Sequence, residues 1–164
     1  MPVGNRAMKV CFEHRVSLPV EVVFHFHENP AHLELMHCNW PGFRLLHHDG
    51  RVLPGSTTWI EQSIARCVPV VLGFRHTIYE PPTRFGEVLI HGPFRRFTHI
   101  HEFQQVGETT VVRDLLDVKL PWRYGGELGM RLFVGPAIRR VFASRHSVLT
   151  QLAQNDQLAR LAAS

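Results

Sequence analysis

Gly92-Pro93-Phe94-Arg95-Arg96-Phe97-Thr98-His99-Ile100-His101-Glu102-Phe103 reads as a turn followed by an alternating strand. Phe97, His99, His101 and Phe103 share one face, and Arg96, Thr98 and Glu102 share the other. Gly107-Glu108 then turns the chain, and Thr109 to Leu120 repeats the alternation until Pro121 stops it. Val112, Asp114, Leu116, Val118 and Leu120 face inward in that second run, against Arg113, Asp117 and Lys119. Two period-2 segments joined by so short a turn are antiparallel neighbours. Both inward rows carry ionisable groups among apolar ones.

Upstream, Phe43–His47, Thr57–Arg66, Val70–Tyr79 and Arg84–His91 are further strands, separated by Pro54-Gly55 and Glu80-Pro81-Pro82 turns. Met8 to Ser17 is another. Ser17 is expected to cap a short helix carrying Val20, Val23, Phe24 and His27 on one side. Asn29-Pro30 starts a second one, with Leu33 and Met36 on its inner face. Downstream the period changes. Leu132, Phe133, Ile138, Val141, Phe142, Val148, Leu149 and Leu152 recur at three- and four-residue steps. That predicts an amphipathic helix of about 25 residues, from near Glu127 to beyond Ala153. Gly135-Pro136 should bend or break it, or else Pro136 should open the first turn of a separate helix.

The order implies an α+β fold: a seven-stranded curved antiparallel sheet wrapped around a long C-terminal helix, with two short helices after strand 1. One domain over residues 1–164 fits the length and the 45% hydrophobic content. A curved sheet does not close tightly on one helix, so the space between is a natural cavity.

Composition narrows the function. The net charge is +4, but the arginines are dispersed rather than gathered into a stripe with aromatics, so no nucleic-acid partner is expected. Cys11, Cys38 and Cys67 are odd in number and lack CxxC spacing, which fits a reducing compartment. With no signal peptide or long apolar run, the expected location is the cytoplasm, without membrane insertion. No GxSxG elbow is present, and no cofactor is implied.

Taken together, Tyr79-Glu80-Pro81-Pro82 with Phe85, the Gly92-Pro93-Phe94 segment with its His99-x-His101, Thr110, Asp114, Leu120-Pro121 and Phe142-x-x-Arg145 resemble a known family. It is the helix-grip superfamily of START-related and Bet v 1-like (SRPBCC) proteins, in particular the bacterial polyketide cyclase/dehydrase and lipid-transport group. The ordered set spans about two-thirds of the chain. The resemblance implies binding of a hydrophobic small molecule such as a lipid, isoprenoid or polyketide-like aromatic. Some relatives are cyclases or dehydratases, and some dock a protein partner, so a partner protein or a homodimer belongs to the expectation. Two departures stand out: Phe97 replaces a frequent Trp, and Gly135-Pro136 falls where relatives continue the helix.

Turn positions suggest register. A turn at Pro81-Pro82 sets His76 opposite Glu87, one at Gly92-Pro93 sets Glu87 opposite His99, and one at Gly107-Glu108 sets His101 opposite Asp114. His99, His101, Glu87 and Asp114 are therefore the candidate acid–base residues. Trp59, Phe74, His76, Ile78, Phe97, Leu116, Val118, Ile138 and Phe142 complete the expected ligand-binding wall. Three readings fit the polar cluster: a self-satisfied network, recognition of a ligand's polar head, or acid–base or metal chemistry. His99-x-His101 alone is too short a pattern to assign a metal. Trp122–Gly126, with its paired glycines, is a connector or a lid.

Overall fold

The computed structural model describes residues 7–64 and 68–163. Seven strands form one antiparallel sheet in the order β1-β7-β6-β5-β4-β3-β2. They are β1 (Met8–Val16), β2 (Arg44–His48), β3 (Thr57–Ile64), β4 (Val68–Glu80), β5 (Arg84–His91), β6 (Arg96–Val106) and β7 (Thr109–Lys119). The expected end of β3 at Arg66 lies outside the described residues. β6 begins at Arg96 rather than at the expected Phe94; just ahead of it the Arg95 amide donates to the Lys119 carbonyl at 2.9 Å.

Between β1 and β2 lie α1 (Val20–Glu28), a 3-10 turn (Pro30–His32) and α2 (Leu33–Met36). Ser17 does not cap α1. Pro19 occupies the N-cap position without a side-chain bond, and the Val20 amide donates instead to Gln105 Oε1 at 2.7 Å. Thr110 Oγ1 donates to the Leu18 carbonyl nearby. The β6–β7 hairpin thus supplies the cap from a distant part of the chain, satisfying an amide that a helix start leaves open. Asn29 does cap the second segment, its Oδ1 accepting from the Ala31 amide at 3.1 Å.

The long helix is continuous from Gly126 to Gln154 but changes its bonding on the way. α3 (Gly126–Gly129) passes into a π turn over Met130–Val134, then into α4 (Gly135–Gln154). The Gly135 amide donates to the Met130 carbonyl five residues back. Pro136 therefore sits in the first turn of α4, where its missing N–H costs little, and the wider π turn accommodates its ring. Neither a gap nor straight α bonding is present. A separate short α5 (Gln157–Ala162) follows.

The apolar interior is two clusters. One joins Val23, Phe24 and Phe26 of α1 to Phe85, Phe103, Val112, Leu149 and Leu158. The other gathers Leu116, Val118, Leu120, Met130, Val134 and Phe142. Along β7 the inward row therefore runs from Val112 in one cluster, through Asp114, to Leu116 and Val118 in the other.

Three expected wall residues lie elsewhere. β4 carries an extra residue between His76, paired with Glu87, and Ile78, paired with Gly86. This bulge reverses the alternation, so Ile78 turns to the outer face and packs by Gly86 and Ile100, while Tyr79 turns in. Trp59 shares the outer face with its pairing partner Gly73 and lies tilted against His91, ring centroids 5.5 Å apart. Val118 faces inward but is sealed in the second cluster and does not reach the cavity.

Gly73 leaves the room that Trp59 fills, since a Cβ there would lie 2.8 Å from the indole Cζ3. Gly73→Ala is expected to destabilise the protein by about 1–3 kcal/mol in urea unfolding. Gly73→Ala combined with Trp59→Leu should recover part of that loss; purely additive effects would show that the indole contact is not responsible.

Candidate functional site

A cavity of about 150 Å³ lies between the concave face of the sheet, α2 and α4. Of the expected wall, Phe74, His76, Glu87, Phe97, His99, His101, Leu116, Ile138 and Phe142 line it. Met36 and His37 close it from the α2 side, and Thr58 and Ile60 from β3. Most of the lining is apolar; Thr58, His76, Glu87, His99 and His101 form a polar band across β3 to β6, backed by Asp114 of β7, and His27, His37 and Arg145 add polar groups from the helical side.

The expected register is present at all three pairings: His76 opposite Glu87, Glu87 opposite His99, and His101 opposite Asp114. Thr58 Oγ1 and His76 Nε2 are 3.1 Å apart. His76 Nδ1 is 3.7 Å from one Glu87 oxygen, and His99 Nδ1 is 3.5 Å from the other. His99 Nε2 hydrogen-bonds Asp114 Oδ1 at 3.0 Å. His101 Nδ1 lies 2.7 Å from the same oxygen, and Arg145 Nη1 reaches to 3.8 Å of it. Asp114 itself is 0% exposed and lies behind the wall, without lining the cavity. Aromatic rings hold the histidines in place. His101 stacks on Phe85 with centroids 4.4 Å apart, and His99 meets the edge of Phe142 at 5.7 Å.

Charge in the band is divided. Burial pushes the Asp114 carboxyl up, but Arg145, His101 and His99 together hold it well below the usual carboxylate range. Burial likewise opposes ionisation of Glu87, yet the hydrogen bond from His99 and the nearby His76 bring it below its ordinary value. Desolvation lowers His99, and its bonds to Asp114 and Glu87 outweigh that and raise it. His99, between two carboxylates, is thus the histidine of the band whose charged form is favoured, with Arg145 as the neighbouring cation. His101 is driven down to about 3, first by burial and then by the charge of His99. His27 and His37, on the α1–α2 side, fall to about 3 and about 4, mainly through burial and then through Arg145.

Among the polar residues of the site, Arg145, Thr58, His27 and His37 were not assigned to the cavity by sequence reasoning. Arg145 carried a signal, because it follows Phe142 by three residues and so shares its helix face. His37 and Thr58 reach the cavity only through the packing of α2 and β3, which no local pattern encodes.

No family model matches the sequence, and no curated protein matches it. Solved structures do resemble the fold. The aromatase/cyclase Zhui of Streptomyces sp. R1128 superposes with a TM-score of 0.69 at 11% identity, covering 91% of this chain and 94% of its own. Major latex-like protein 151 of Panax ginseng gives 0.67 at 12%, covering 88% and 96%. A START superfamily protein of Mycobacterium smegmatis gives 0.64 at 16%, covering 88% and 98%. These likenesses show the fold: the chain has the helix-grip architecture of START-like and Bet v 1-like structures.

Two outcomes follow from the buried charges. Asp114→Ala leaves Arg145 buried without its carboxylate and His99 with Glu87 alone, and is expected to cost about 3–5 kcal/mol in chemical denaturation; a loss below about 1 kcal/mol would mean Arg145 finds another partner. The second concerns pH. His27, His37 and His101 have folded pKa values below the unfolded value of about 6.5, so the unfolded chain binds more protons as pH falls through that value. Each then removes up to about 1.4 kcal/mol of stability per pH unit until its folded pKa is passed. His99 acts oppositely: its contribution is complete below about pH 6.5 and is lost as pH rises through its raised folded pKa. Stability is expected to peak near neutral pH and to fall steeply by pH 5, before carboxylates titrate. A flat unfolding free energy between pH 7 and 5 would contradict the neutral state of these histidines.

Proposed function

We propose that this protein binds a hydrophobic small molecule in the cavity, with the molecule's one polar end held by Glu87 and His99. The observation that carries this reading is the asymmetry of the wall: mostly apolar, with Glu87 and His99 side by side on β5 and β6 and Arg145 of α4 as the other charged lining residue. Phe74, Phe97, Leu116, Ile138 and Phe142 would hold the apolar body, and His76 and His101 would flank the polar end. The resemblance to START-like structures supports a lipid, an isoprenoid or a polyketide-like aromatic as the ligand class.

Size constrains the reading. A cavity of about 150 Å³ takes a molecule near the size of a single ring, while common ligand pockets begin near ~300 Å³. A longer ligand therefore requires the rim to open. Trp122–Gly126, the expected connector or lid, contributes no residue to the cavity lining. Among the described residues no helix is long and apolar enough to cross a membrane. Cys11 and Cys38 are free and exposed, which supports the cytoplasm as the working compartment.

A second reading rests on His99. An imidazolium at a cavity wall, between two carboxylates, is equipped to give a proton to a bound carbonyl or hydroxyl while Glu87 accepts one. That would make the protein a cyclase or dehydratase. One set of measurements separates the two. Native mass spectrometry of the purified protein, with extraction and identification of what it carries, is expected to find one apolar molecule per chain. His99→Ala should weaken its rebinding about tenfold or more. If Phe74→Ala and His99→Ala both leave binding unchanged, the cavity is not the site. If the carried molecule is converted to product at a rate that disappears with His99→Ala and Glu87→Gln, the enzyme reading prevails.

A further inference from the structure

His14 and His146 take no part in the cavity wall, yet with Asp114 they form a second cluster behind it. His14 projects from β1, an edge strand of the sheet, and His146 from α4, one residue after Arg145. Their rings lie 4.2 Å apart, centroid to centroid. One ring nitrogen of each and a carboxylate oxygen of Asp114 all fall within 4.8 Å of one another. Among the described residues, the His14 nitrogens, His146 Nε2 and Asp114 Oδ2 are buried and have no hydrogen-bond partner. Asp114 Oδ1 is already engaged by His99 and His101, so Oδ2 is the oxygen left over. Fully buried polar atoms left unpaired on three converging side chains are costly unless something satisfies all of them at once.

We infer that His14, His146 and Asp114 form a divalent transition-metal site, best matched to zinc, that clips α4 to β1 and β7. Two imidazoles and a carboxylate are a zinc-type donor set, which water would complete as fourth ligand. Ligand atoms bound to one zinc stand roughly 3.3 Å apart, given bonds of about 2.0–2.1 Å and tetrahedral angles. The donor atoms, within 4.8 Å of one another, must draw closer together when the ion binds. Both imidazole residues are only half-buried, although their unpaired nitrogens are covered, and neither residue lines the cavity. Arg145 lies 3.8 Å from Oδ1, and its charge weakens the site without occupying Oδ2. Asp114 then has two roles, one oxygen orienting the cavity histidines and the other holding the ion.

Glu87, His99 and His101 also bring three donor atoms within 4.8 Å of one another, so the test must separate the two clusters. Chelator-treated protein is titrated with cobalt(II) chloride, followed by visible ligand-field absorption, and with zinc chloride, followed by thermal unfolding. The expected result is one cobalt per chain and a Tm raised by several degrees with zinc. His146→Gln should weaken binding at least tenfold and abolish the Tm shift, while Glu87→Gln keeps both. If His146→Gln does not fold by circular dichroism, His14→Gln serves as the equal test. No absorption band and no Tm shift would overturn the proposal. So would a band that survives in His146→Gln but is lost in Glu87→Gln, which would put the ion on the cavity wall instead.

Discussion

A carboxylate with no exposure to solvent sits at the centre of this fold, and much of the architecture is the answer to it. Asp114 cannot be buried ionised without compensation, because desolvating a lone carboxylate costs several kcal/mol. Two neighbouring β6 histidines and an arginine from the covering helix converge on one of its oxygens. Those contacts dictate where α4 must lie along the sheet and which way β6 must face. Apolar packing alone would allow α4 to slide; a buried ionic contact does not, since any displacement leaves both partners unpaired.

That constraint explains the division of the interior. The polar band crosses the sheet between two apolar clusters, and the cavity opens where neither cluster can close over it. Filling the gap with larger apolar side chains would press them against ionised groups. The π turn before Pro136 serves the same placement. It keeps the helix continuous while shifting the side chains of Met130 and Val134 into the second cluster, just ahead of the turns that carry Phe142 and Arg145. The helix thus brings an apolar anchor and a cation to the sheet from adjacent turns.

The fold was legible in the sequence because its periods were clean. Period-2 alternation in β6 and β7 was enough to orient Phe97, His99, His101, Asp114 and Leu116, and short turns were enough to set three cross-strand pairs in register. Alternation stopped orienting side chains where one inserted residue broke the period. The bulge after His76 sent Ile78 outward, and no local signal announces an extra residue in a strand. Trp59 misled for a related reason: its size suggested an inner position, while Gly73 across from it provided a slot on the outer face. Ser17 looked like a helix cap by composition, but Gln105 from the far hairpin took that role.

What the sequence determined by itself was which side chains share a strand face and which share a helix face, because those follow from backbone geometry within one element. The tertiary structure decided which faces meet. Arg145 reaches Asp114, His14 meets His146, and His37 closes the cavity only once α4, β1 and α2 have docked on the sheet. Such contacts join residues up to a hundred or more positions apart in the chain, and they depend on the sum of many weak packing energies rather than on any local pattern.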